Sequence, residues 1–137
     1  MGEVRTQVLI TNAVDEALAR VGQLAPDRVR HYEADAMVDS GAVRSVLPAH
    51  VVQQLGVDVR GQRVVEYADG RKEAVDVTGA VIFNILGRDT MEEALVLGDE
   101  VLIGQTVLEK LDLLVDCHRR QVIPNPAHPD QPVTKVK

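Results

Sequence analysis

Apolar and polar residues alternate along much of this chain with a period near two, the spacing of a strand with one buried face. Residues 4–10, VRTQVLI, alternate and then become continuously apolar, which predicts a first strand. Asp15 is placed to cap a short helix over 16–21 that stops near Gly22. Pro26 and Asp27 mark a turn. Residues 28–38 read as a long strand with Val29, Ala34, Ala36 and Val38 apolar, and Asp39, Ser40 and Gly41 then break the run. Pro48 suits the first turn of a helix and Gly56 its C-terminal stop, which predicts a short helix over 48–55. Apolar runs at 64–67 and 73–77 flank Asp69-Gly70, a strong hairpin signal. A second hairpin is expected between 80–86 and 91–97, turning at Gly87-Arg88-Asp89. Residues 101–103 form a short apolar strand ending at Gly104, and Thr106 can cap a helix over 106–111. A last hairpin pairs 113–116 with 121–123. From Pro124 onward the chain is Pro-rich and weakly apolar, which predicts an extended, poorly ordered tail over 124–137.

Many short strands with regular turns and two or three short helices indicate a mostly-β domain, either closed or sandwich-like. A length of 137 residues suits one domain. Apolar residues make up 45% of the chain and aromatics only 2%, so the core must be aliphatic, which favours strands. The net charge of -6 and the absence of a basic stripe argue against a nucleic-acid partner. His118-Arg119-Arg120 is the nearest cationic cluster, and it reads as a solvated turn.

Cys117 is the only cysteine, so an intrachain disulfide and a cysteine-rich zinc site are both excluded. Cys117 and His118 are adjacent, and on a strand they face opposite ways, so they make a poor nucleophile pair. His31, His50, His118 and His128 lack metal-ligand spacing, and neither a metal nor a cofactor is expected. No Gly-rich phosphate loop and no Gly-x-Ser-x-Gly nucleophile turn occurs. No apolar run approaches the roughly 20 residues of a membrane span. The first residues lack a signal-peptide pattern, so the expectation is a soluble, cytoplasmic protein without a membrane partner.

The remaining question is Asp39, an ionisable group set against apolar neighbours in VDSGA. Such a carboxylate is costly to bury unless it is paired, hydrogen-bonded or used. By itself the triplet is also a common turn-former. The order of three features is more specific: the Asp39-Ser40-Gly41 triplet after a strand, the Asp69-Gly70 hairpin, and VLIGQTVLEKL at 101–111. Over roughly residues 28–123 this order resembles the retropepsin-like aspartic proteases, small bacterial type. The resemblance implies a single-domain, closed β-barrel-like acid-protease fold over residues 1–123. It implies Asp39 as the catalytic residue, with Ser40, Gly41 and Ala42 supporting its loop. Tyr67, Ala68, Asp69, Gly70 and Arg71 would form a flap over the substrate, and Ile103 and Gly104 would pack beneath the active site. Gln105 stands where viral members often carry Arg. The chain has one such triplet and is too short for two lobes, so a dyad requires a C2 homodimer in which Asp39 meets its own copy. A peptide or protein would be the substrate. The alternative on the same fold is a catalytically weak or inactive dimeric module that binds peptides.

Overall fold

A computed structural model describes residues 3–137. Strand β1 (Val4–Asn12) lies deep in a nine-stranded sheet, antiparallel to β2 (His31–Val38) on one side and to β6 (Val81–Ile85) on the other. The further strands of this sheet are β3 (Val46–Leu47), β4 (Val59–Glu66), β5 (Lys72–Thr78), β7 (Arg88–Glu92), β8 (Leu95–Val96) and β9 (Leu102–Ile103). Their order is β4-β5-β8-β3-β9-β2-β1-β6-β7. A separate two-stranded ribbon pairs β10 (Leu113–Asp116) with β11 (Gln121–Pro124). Three helices complete the fold: α1 (Ala13–Arg20), α2 (Ala49–Leu55) and α3 (Gln105–Leu111). The mostly-β expectation therefore holds, and the sheet curls into a half-barrel. Among the described residues no helix is long and apolar enough to cross a membrane.

The core is aliphatic, as the composition requires. Ile10, Leu47, Leu55, Ile85, Ile103 and Leu111 are fully buried around Phe83, and half-buried Tyr32 packs against the same core. A smaller cluster of Val75, Val77 and Leu95 sits under the β4–β5 hairpin, with Val46, Val65 and Leu97 packed against it.

Several element boundaries differ from the sequence expectation, each for a local reason. Asn12, not Asp15, caps α1: its Oδ1 accepts from the Asp15 N–H while its amide donates to Leu55 O. Asp15 is free to pair instead with Arg30, whose backbone N–H, Nε and Nη2 all donate to it. Residues 26–28 form a 3-10 turn, so β2 begins at His31 rather than 28. Pro48 is the N-cap of α2, and Gly56 ends that helix in the left-handed conformation at φ 66°. Gly104, not Thr106, occupies the N-cap of α3.

The second hairpin turns on Leu86 and Gly87, both with positive φ, so Ile85 pairs with Arg88. This register draws Arg88 into the strand. Its guanidinium is buried, where Nη1 donates to Leu111 O and Asp112 O at 3.0 Å each and Nη2 donates to His128 O at 2.7 Å.

Beyond β11 the chain has no helix or strand. Asp112, the left-handed C-cap of α3, nevertheless holds this segment. Its carboxylate accepts from Asn125 Nδ2 (3.0 Å), His128 Nδ1 (2.7 Å) and Val133 N–H (3.1 Å). These bonds, first among them the one from Asn125, hold the Asp112 carboxyl below its ordinary value, and Arg30 does the same for Asp15.

Two outcomes follow. Arg88→Met should lower unfolding stability by about 2–3 kcal/mol, because three carbonyls lose a charged donor in the interior, and urea denaturation reads this directly. The lowered carboxylates also set a pH response. Their contribution is complete above the unfolded carboxyl value and is lost as pH falls through the lower folded values. Stability should therefore drop progressively below about pH 4, and Asp112→Asn should flatten that decline in an acid titration followed by circular dichroism.

Candidate active site

The β2 strand ends at Val38, and β3 does not lie beside it. β9 sits between them, parallel to β2 and antiparallel to β3. The connecting loop, residues 39–45, therefore has to cross the end of β9. Backbone groups hold it there. Asp39 N–H donates to Ile103 O at 3.0 Å, Gln105 N–H to Ala42 O at 2.7 Å, and Thr106 N–H to Val43 O at 3.1 Å. The buried Ser45 hydroxyl accepts from Gly104 N–H at 2.9 Å.

The crossing is close enough to demand glycine at 104. A Cβ there would lie 2.6 Å from the carbonyl carbon and oxygen of Arg44 and 3.0 Å from Ala42 O. Main-chain atoms cannot swing away as a flexible side chain would.

Asp39 sits at the start of this loop and is half-buried. Its apolar neighbours suggest a buried acid, but the loop lies at the surface, with Ser40, Gly41 and Val43 exposed. One carboxylate oxygen, Oδ1, accepts from Gly41 N–H at 2.9 Å. A Cβ at position 41 would stand 3.2 Å from that oxygen, so the missing side chain is what permits the approach. Ser40 and Gly41 are exposed at the apex, and Ala42 is half-buried behind them.

The β4–β5 hairpin faces the loop. Every β4 residue except Val65 is exposed, so the arm stands away from the body. Its tip is tightly bonded: Tyr67 N–H donates to Arg71 O and Gly70 N–H to Tyr67 O, both at 2.8 Å. Asp69 Oδ1 accepts from Arg71 N–H at 2.9 Å. Gly70 supplies the positive φ of 85° that the turn needs. The Arg71 guanidinium lies 4.3 Å from the centre of the Tyr67 ring. Tyr67 donates its hydroxyl to the Glu73 carboxylate, not to the loop at 39–41, and that bond raises its pKa above the ordinary value.

A groove of about 400 Å³ separates hairpin and loop. Val46, Val65, Leu95 and Leu97 give it an apolar floor, and residues 41–44 form one wall. Arg63 and Tyr67 come from the hairpin side. The structure thus gathers Asp39, Ser40, Gly41, Ala42, Ile103 and Gly104 at one place. Of the tip residues only Tyr67 lines the groove, while Ala68, Asp69, Gly70 and Arg71 are exposed beyond it. Sequence reading missed Ser45 and Arg44. A serine between Arg44 and Val46 carries no local sign that its hydroxyl will meet residue 104. Among the described residues no group of three or more His, Cys, Asp or Glu is arranged to hold a metal ion.

A profile of a family described as aspartyl protease matches residues 19–117, more than half of the chain. The chain belongs to the aspartyl protease family. In this aspartyl protease family member the matched segment runs from α1 through the 39–45 loop and both long hairpins to the end of β10. Among solved structures, the retroviral protease-like domain of Ddi1 from Leishmania major superimposes with a TM-score of 0.55 at 17% identity, over 98% of this chain and 92% of that one. The EIAV protease, solved in complex with the inhibitor HBY-793, gives a TM-score of 0.53 at 21% identity, over 79% of this chain and 86% of that one. At such identities the likeness is one of fold. Among curated proteins none matches the sequence.

Gly104→Ala should cost at least about 2 kcal/mol, since its methyl group meets backbone on two sides. Gly61→Ala is the control: nothing lies within 4 Å of a Cβ there, so it should be neutral within about 0.5 kcal/mol in the same chemical denaturation series.

Proposed function

We propose that this chain is an aspartic endopeptidase acting as a C2 homodimer, in which Asp39 and its symmetry copy form the catalytic pair. The supporting observation is the placement of Asp39. It lies on a surface loop locked from below by Ile103 and Gly104, with one oxygen held by Gly41 N–H. Among the described residues the Asp39 carboxylate accepts only from Gly41 N–H and makes no ion pair, and a two-fold axis supplies a second carboxylate without a second motif.

Two carboxylates brought within hydrogen-bond reach of each other share one proton. The ionised member takes a proton from water as the water oxygen attacks the scissile carbonyl carbon. The protonated member gives its proton to the carbonyl oxygen, yielding a neutral gem-diol. Collapse of the diol returns a proton from one hydroxyl to a carboxylate. The other acid protonates the departing amine nitrogen as the C–N bond breaks. No cofactor enters this sequence.

The substrate lies extended in the groove, bonded through its main chain in the manner of an added strand. Tyr67, Ala68, Asp69, Gly70 and Arg71 close over it as a flap, and Ser40 and Ala42 support the catalytic loop. Residues 1–123 form the catalytic unit in this reading, and 124–137 are an appendage tethered through Asp112. The lone, exposed Cys117 suits a reducing compartment, and we place the protein in the cytoplasm.

The test is Asp39→Asn. The variant should keep its fold and its dimeric mass in sedimentation while peptide cleavage falls by about 10³-fold or more. Cleavage at the parental rate, or a parent that sediments as a monomer at every concentration with peptide present, overturns the reading. An intact parental dimer that cleaves nothing in a mixed peptide library between about pH 4 and 7 would make the fold a peptide-binding module.

A further inference from the structure

The groove between hairpin and loop carries a charge pattern that peptide hydrolysis does not require. The protein is acidic overall, with a net charge of -6. Arg5, Arg20, Arg30, Arg71 and Lys110 all stand beside a carboxylate. Of the two arginines on the groove, Arg44 also has a carboxylate neighbour, Glu93 at 3.6 Å, and Arg63 does not. Among the described residues Arg63 has no ion pair, and its partner across the hairpin is Val75. It shares a face of β4 with Val65, and these two line the groove together with Tyr67, the residue after the strand.

Arg44 is the second. Its side chain is about two-thirds buried, and its Nε is buried without a hydrogen-bond partner. Its nearest carboxylate oxygen, on Glu93, is 3.6 Å from Nη2, and the Glu93 carbonyl is at 3.5 Å, the outer limit of a hydrogen bond. Nε alone lacks a partner, which costs free energy, while the Nη2 end sits beside Glu93 in a neighbouring cleft that Arg44 also lines. The one carboxylate on the groove, Glu66, faces Lys72 in the hairpin register. Between the arginines the floor is apolar: Val46, Val65, Leu95 and Leu97.

We propose that this groove is a specificity subsite for a peptide side chain with an aliphatic stem and a carboxylate end, and that glutamate fills it. The stem methylenes cover the valine and leucine floor, and the carboxylate takes charge-assisted bonds from Arg44 and Arg63. Glutamine has the same stem and lacks the charge, while leucine covers only the floor. Arg44 and Arg63 are specificity-determining residues and leave the bond chemistry to Asp39. The inference rests on the proposed function only in taking the groove to hold a peptide.

Short peptides carrying Glu, Gln, Leu or Lys at one position, each position in turn, test it in two assays. One is cleavage by the parent. The other is binding to Asp39→Asn protein, which needs no turnover. At one position Glu should exceed Gln by about tenfold, in KM and in the dissociation constant alike. Arg44→Gln/Arg63→Gln should erase that difference, and Arg44→Glu/Arg63→Glu should transfer the preference to Lys. If the double variants unfold, Arg63→Gln alone, at an exposed strand position, should still narrow the gap. Equal binding of Glu and Gln peptides at every position, or a Glu preference that survives loss of both arginines, overturns the subsite. A parent that cleaves nothing while Asp39→Asn still ranks Glu above Gln refutes the protease reading and leaves the subsite standing.

Discussion

The contact on which the site depends is between two stretches of main chain. The 39–45 loop has few side chains able to anchor it: Ser40 and Gly41 are exposed, and Val43 is 66% exposed. What fixes it is the backbone of β9 and the first turn of α3, bonded to Asp39, Ala42 and Val43 and capped by the Ser45 hydroxyl on Gly104 N–H. Backbone-to-backbone packing at this distance tolerates no Cβ, and Gly104 removes it. The carboxylate of Asp39 inherits its position from that contact, since its own N–H is one of the bonded groups.

Rigid loop and projecting hairpin then divide the work. The loop belongs to the main core through Leu47 and Ile103, both fully buried. The hairpin is held by a much smaller cluster, Val75, Val77 and Leu95, and most of β4 faces solvent. Fewer buried contacts mean a lower cost of local movement. The tip is nevertheless internally stiff, through the Tyr67–Glu73 bond and the Arg71 guanidinium over the Tyr67 ring. The groove lies between loop and hairpin, with its arginines divided between them, Arg44 on the loop and Arg63 on the arm.

A second organising point lies on the far side of α3. Arg88 donates to carbonyls of the helix end and of the C-terminal segment, and Asp112 accepts from that segment's Asn125, His128 and Val133. Asp112 adopts a left-handed conformation at φ 56°, unfavourable for a residue with a Cβ, and its three hydrogen bonds offset that cost. Helix end, buried arginine and Pro-rich segment are thereby one hydrogen-bonded unit.

Much of this was legible along the chain because its cause is local. Asp69-Gly70 turns a hairpin by its own dihedral preferences, Pro48 and Gly56 bracket α2, and Asp39-Ser40-Gly41 interrupts an apolar run whatever surrounds it. The aliphatic composition determined the kind of core. Other features depended on groups far away in sequence. Asn12 took the cap of α1 from Asp15 because Arg30 engages Asp15 across fifteen residues. The apolar stretch at 91–97 divided because its first part pairs with β6 and its second with β5 and β3. Arg88, read as part of a turn, went inside because the register of β6 and β7 closes on Leu86-Gly87. The sequence by itself determined the Asp69-Gly70 turn, the Pro48 and Gly56 brackets of α2 and the presence of one acid in a loop. Only the tertiary structure decided that β9 would lie beneath that loop, that Ser45 would meet Gly104, and that two arginines 19 residues apart would face one groove. Dihedral preference and capping act within a few residues, whereas strand order and groove electrostatics are set by which distant segments share a sheet.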